Sequence, residues 1–230
     1  MKNKKLKRKV WFRCLKSVMR LFIRKPKYIF LGDKITENGI ILSNHEGTKA
    51  PLAMELHGNV PVRFWGASEM NKGLISVYKY QSRVYYHQKK HWNLHLARLF
   101  CLIASPLTNL FYKGLNLIPT YQNVNFRKTL KESIDSLEKG YNLVIYPEMS
   151  DKGYLKHLEG FHNGCIMLLE QCVKHNIDAL VYISYYKKET KEYIFDKPVK
   201  VSELLKLNLS RDDLAKKLCD RCNELGQIEF

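Results

Sequence analysis

A chain of 230 residues with 45% hydrophobic and 12% aromatic side chains can fill one good core, which excludes an intrinsically disordered protein. Its formal charge of +17 is uneven: twelve of the 39 Lys and Arg fall in the first 27 positions, no acid precedes Asp33, and the remainder holds 27 basic against 22 acidic residues. The basicity is therefore mostly a local device that suits an anionic surface, not a general nucleic-acid-binding composition.

Residues 5–25 carry Leu6, Val10, Cys14, Leu15, Val18, Leu21 and Phe22 at helical spacing, with Trp11 and Met19 widening the stripe and Lys and Arg on the other face. Pro26 stops the run. Two readings stand: a helix packed on its own domain, or one lying on a membrane surface, which accounts better for the missing acids. Residues 1–27 are accordingly expected to form a basic amphipathic membrane-surface helix, and residues 28–230 one domain. The same basic residues interrupt any secretory core, and the longest uncharged apolar stretch, Leu99 to Tyr112, is shorter than the roughly 20 residues a bilayer needs.

Strands are predicted at Tyr28–Leu31, Ile40–Ser43, Val60–Trp65, Leu115–Pro119, Leu143–Tyr146, Leu180–Ser184 and Tyr193–Phe195. Helices are predicted at Ala50–Leu56, His91–Ala104, Phe126–Glu138, His162–Lys174 and Arg211–Leu225. This alternation implies an α/β domain with a mostly parallel sheet flanked by helices. The six cysteines are scattered, Cys219 and Cys222 form a CxxC with no second pair nearby, and reduced thiols are expected. His87, His91 and His95 are spaced to line one helix face, but no matching carboxylate is at hand, so a polar face is expected and no metal site.

In a parallel sheet the chemistry lies beyond the carboxyl ends of the strands. Two predicted strands end in polar tips: "IILSNHEG" delivers Asn44 and His45, and "NLVIYPE" delivers Glu148. A histidine at a strand end has a fixed backbone and titrates near neutral pH, which suits a general base.

Asn44–His45, Gly114 with Leu117–Ile118, Tyr146–Pro147–Glu148 and Phe161 with Gly164 follow one another in the order of four motif blocks. Over roughly residues 35–185 the chain thereby resembles the glycerolphosphate and lysophospholipid acyltransferase family. The resemblance implies acyl transfer from acyl-CoA or an acyl carrier protein to a lipid hydroxyl, without metal or other cofactor, at the cytoplasmic face of a membrane. It assigns His45 as base. With the motif Asp missing, Glu148 or Asp151 from the other strand end, or a backbone carbonyl, is left to orient the ring, and Asn44, Lys49, Gly114, Thr120 and Lys152 are expected on the substrate. Met149 replaces the Gly of the third block, and three further family positions differ. Ala50 stands where the motif has Asp, and Thr120 and Asp151 stand where it has arginines that hold acceptor phosphate. Lys49 and Lys152 would supply point charges in their place, which argues against a glycerol-phosphate acceptor. The same three positions leave a second reading open, a degenerate relative that binds lipid or a partner without turnover.

Overall fold

The computed structural model describes residues 8–36, 38–150 and 153–230. The chain is an α/β domain built on a mixed sheet of eight strands, ordered β1-β7-β6-β2-β5-β3-β4, with β8 beside β6. The strands are β1 (Lys27–Phe30), β2 (Ile40–Ser43), β3 (Val62–Ala67), β4 (Ile118–Thr120), β5 (Asn142–Ile145), β6 (Leu180–Lys187), β7 (Glu192–Phe195) and β8 (Val199–Lys200). The run β6-β2-β5-β3-β4 is parallel throughout, whereas β7 and β8 pair antiparallel with β6. Five strands thus point their carboxyl ends at one edge. The mostly parallel sheet expected from the alternation is present. The two-residue β8 has too short a pattern to read from sequence.

The helices are α1 (Val10–Phe22), α2 (Lys49–His57), α3 (Leu74–Tyr80), α4 (Leu94–Leu115), α5 (Phe126–Glu138), α6 (Gly164–Lys174), α7 (Val201–Leu205) and α8 (Arg211–Gln227). Alternation in β2 divides the core. Ile40 and Leu42 enter a cluster with α5, α6 and α8, while Ile41 packs on the other face with Phe12 of α1, Ala50 and Met54 of α2, Phe64 and Val144. Ile40, Ile41 and Leu42 are fully buried, each contributing about 1.5–3 kcal/mol. Cys219 and Cys222 lie in the first cluster as free thiols.

Three sequence expectations change. First, α1 is docked on the domain. Phe12 is fully buried, Arg8 and Lys16 both bridge Glu55 at 2.7 Å, and Arg20 Nε donates to the Leu56 carbonyl at 2.6 Å. Yet Val10, Val18, Leu21 and Phe22 stay exposed, so α1 has one face on the protein and one apolar face outside. Second, α4 begins after the capping Asn93 and runs 22 residues, through Pro106 and past the end expected at Ala104. It takes in Leu115, which sequence alternation had assigned to a strand. By length and composition alone it is long enough to cross a membrane. Third, α3 and a π-helical segment, Gln81–Lys89, fill a stretch with no predicted element. This segment also separates the three histidines: His87 lies in it, His91 in the following turn at φ 56°, and His95 in the first turn of α4, so they share no helix face.

Candidate functional site

Leu42 of β2 pairs with Ile145 of β5 in parallel register. Three residues further along each chain come His45 and Glu148, side by side beyond the carboxyl edge. The sheet therefore dictates their meeting, although they are 103 positions apart in sequence. Asn44 fixes the end of β2. Its amide nitrogen donates to the Tyr186 carbonyl at 3.1 Å, and its carbonyl oxygen accepts the Tyr186 N–H at 2.7 Å. This buried side chain prolongs the β2–β6 ladder, with the Tyr186 backbone engaging both of its polar ends. Glu46 and Gly47 follow at φ 42° and 65°, a left-handed pair that turns the chain sharply away after His45.

Glu148 is buried and brackets two loops. Its Oε2 accepts the His45 backbone N–H at 3.0 Å and its Oε1 accepts the Leu155 N–H at 3.4 Å. It thus holds the backbone of His45, not the ring. Burial raises its pKa, and the two N–H donors and Lys89 oppose that shift.

The His45 ring lies between aromatic rings. Tyr154 stacks on it with centroids 4.8 Å apart, and Tyr146 tilts against it at 4.9 Å. Among the described residues its Nδ1 is buried without a hydrogen-bond partner, although the Gly47 backbone lies near enough to favour the protonated ring. Burial outweighs that effect, with Lys89 and Lys90 adding repulsion, and the imidazole pKa falls to about 4. Both ammonium groups also sit over the Tyr154 ring, at 5.2 and 5.5 Å.

The remaining expected residues divide. Ala50, at the family's Asp position, is fully buried in the core. Thr120 ends β4 and lines the groove described next, with its hydroxyl donating to the Gly66 carbonyl at 2.8 Å. Lys49 is exposed at the start of α2. Gly114 was expected on the substrate. Instead it is buried in α4, where an added Cβ would fall 2.0 Å from Phe12 Cδ2, so its smallness admits α1. Asp151 and Lys152 lie outside the described residues. Tyr154, Lys89 and Lys90 were not anticipated. For the two lysines the signal was the aromatic and basic interleaving of "YKYQSRVYYHQKK", but a π-helical segment has no simple periodicity to read, and Tyr154 lies in a loop with no pattern at all.

His45 and Glu148 line a groove of about 1510 Å³. Its walls include Leu107, Phe111, Leu115 and Leu117, together with Leu15 and Met19 of α1, while Lys72, Lys79, Arg83 and Lys89 also line it. Among the described residues no group of three or more His, Cys, Asp or Glu side chains gathers as metal ligands would. Compared with models of known protein families and with curated proteins, the chain matches none.

Proposed function

We propose that the protein is an O-acyltransferase that moves a fatty acyl group from an acyl thioester, carried by coenzyme A or a carrier protein, to a hydroxyl of a lipid or lipid-linked acceptor. The observation that carries this reading is a neutral, strand-anchored imidazole lining a groove of about 1510 Å³ with apolar walls and several cations. The apolar walls suit an acyl chain, and the cations suit a phosphorylated carrier. The motif order around His45, Glu148 and Gly164 supports the same reaction class.

In the proposed mechanism the neutral His45 ring takes the proton of the acceptor hydroxyl as that oxygen attacks the thioester carbonyl. The tetrahedral intermediate collapses with cleavage of the C–S bond, and the imidazolium returns its proton to the departing thiolate. The ring nitrogen that acts is Nε2, because Nδ1 is buried. Glu148 positions the base by gripping its backbone, and its negative charge favours the transient imidazolium. With Thr120 bonded to Gly66 and no arginine at the motif position, the acceptor is a hydroxyl without a lysophosphatidate-type phosphate dianion. The protein works peripherally on the cytoplasmic face of an anionic membrane.

A second reading has its own observation. The imidazole meets no carboxylate among the described residues, and loss of such a partner in a serine protease lowers kcat by about 10⁴. A protein that binds lipid without turnover would look the same in this respect. The experiment is incubation of the purified chain with labelled acyl-CoA and a panel of lyso-lipids and glycolipids, read by mass spectrometry. A product made by the wild type, and reduced about 10²–10⁴-fold in His45→Ala, is the expected result. Equal turnover by His45→Ala removes the mechanism. No product with any donor or acceptor favours the lipid-binding reading.

A further inference from the structure

Helix α4 is built inside out. Its buried stripe is small or polar (Ala97, Cys101, Ser105 and Asn109 at four-residue spacing), and Ser105 Oγ donates to Gln81 Oε1 of the π-helical segment at 2.9 Å. The large aliphatic residues point outward instead. Leu96, Leu99, Ile103 and Leu107 are 63%, 65%, 78% and 69% exposed, and Leu110 continues the row. A water-facing helix has the reverse arrangement, whereas small residues inward and aliphatics outward characterise helices solvated by lipid.

The charge around α4 points the same way. From Met70 to Lys131 the chain has no Asp or Glu and ten Lys or Arg. Together with the first 27 residues, this segment holds the whole basic excess, since the rest of the chain has 17 basic against 22 acidic residues. The fold brings the two acid-free segments together. Phe12 of α1 packs on Phe111 of α4 at 5.3 Å and over Gly114, and the exposed apolar residues of α1 include Leu21 and Phe22.

We propose that the outer face of α4 is a second membrane-contact element that lies in the plane of an anionic lipid surface and places the groove mouth against the headgroups. The occupant is lipid because the aliphatic row belongs to a segment with ten Lys or Arg and no carboxylate, which complements an anionic leaflet. The helix lies in the plane and does not span. Its inner face packs on α3 and the π-helical segment, and its last turn leads within three residues into β4, so it cannot be wrapped in acyl chains. This goes beyond recruitment by α1, and it does not depend on turnover, because a lipid-binding protein without activity would use the same face.

The test is sedimentation of the full chain with vesicles of phosphatidylglycerol and phosphatidylcholine, and with phosphatidylcholine alone. The variant Leu96→Gln/Leu99→Gln/Ile103→Gln changes only exposed side chains that do not line the groove. It should partition about tenfold or more weakly into the anionic vesicles, with an unchanged melting temperature. Brominated lipids should quench Trp92, beside the start of α4, most strongly when the bromine is near the headgroup. The quenching lost in Trp92→Phe isolates that signal. Wild-type binding by the triple variant overturns the inference. So does a wild-type dimer in light scattering that the variant dissolves, which would make the face an interface between copies. Resistance to alkaline extraction from the vesicles would overturn the in-plane geometry. A Leu21→Gln/Phe22→Gln variant that alone loses binding would leave membrane recruitment with α1 and remove α4 from it. Binding as expected with no acyl transfer would sink the enzyme reading and leave this one standing.

Discussion

Burial keeps the His45 imidazole neutral down to about pH 4, well below the ordinary 6.5. A base that is already neutral gives no inflection near pH 6.5. The kcat/KM of acyl transfer should therefore stay flat from about pH 7 to pH 5 and fall only as the ring protonates near 4. The shift also bears on stability. Between about 6.5 and 4 the unfolded chain binds a proton that the native ring refuses, so stability declines as pH falls through that window and the loss is complete below it. Urea midpoints at pH 7 and pH 5 should separate more for the wild type than for His45→Gln. Tyr154 supplies much of the ring's cover. Tyr154→Ala should raise the histidine pKa toward 6.5, whereas Tyr154→Phe, which keeps the stacked ring, should leave it low. Titration of the imidazole Cε1 proton by NMR measures both. If the alanine variant titrates like the wild type, the neighbouring lysines, not desolvation by Tyr154, set the value.

Two contacts decide how α1 belongs to the domain. Gly114 lies beneath the Phe12 ring, and a methyl group there would overlap it, so Gly114→Ala should cost about 1–3 kcal/mol by forcing the ring and α1 outward. Glu55 is buried between Arg8 and Lys16, and Glu55→Gln would leave the two cations without their shared counter-charge, costing about 3 kcal/mol. Equilibrium urea unfolding checks both, and a change below about 0.5 kcal/mol in either would mean that α1 docks weakly. Deleting α1 entirely would therefore confound lipid binding with stability, which is why point changes on its outer face are the cleaner probe. Legibility varied at this scale. Strands β2 and β5 were readable because each is a short apolar run followed by polar and turn-forming residues. The length of α4 was not, because Ser105–Pro106 looks like a terminator, although tertiary packing carries the helix through it. The dual role of α1 was half readable: its two faces were visible, but not which one meets the protein.

For the molecule as a whole, the excess charge is gathered in two stretches of sequence, residues 1–27 and 70–131, and the fold packs α1 of the first against α4 of the second. Electrostatic attraction should then control the first encounter with membrane and apolar immersion its persistence. At about 1 M salt the Debye length falls to roughly 3 Å, so sedimentation with anionic vesicles should drop steeply while a residue of apolar binding survives. Binding unaffected by salt would mean that the cations serve the groove and not the surface. The same segments wall the groove that His45 lines, so the helices proposed to meet the surface also enclose the candidate site.

By itself the sequence determined the α/β class, the two strand ends that carry His45 and Glu148, and the location of the first basic helix. These follow from local periodicity and from composition, which are properties of neighbouring residues. Only the tertiary structure decided what those residues touch. The β2–β5 register sets Glu148 against the backbone of His45, the Tyr186 backbone occupies Asn44, Phe12 claims Gly114, and the aliphatic row of α4 faces outward. Each of these joins parts of the chain that are distant in sequence, or chooses one helix face over another. Local pattern cannot decide such matters, because the same amphipathic stripe satisfies a core, a partner or a lipid surface equally well until the rest of the fold has taken its place.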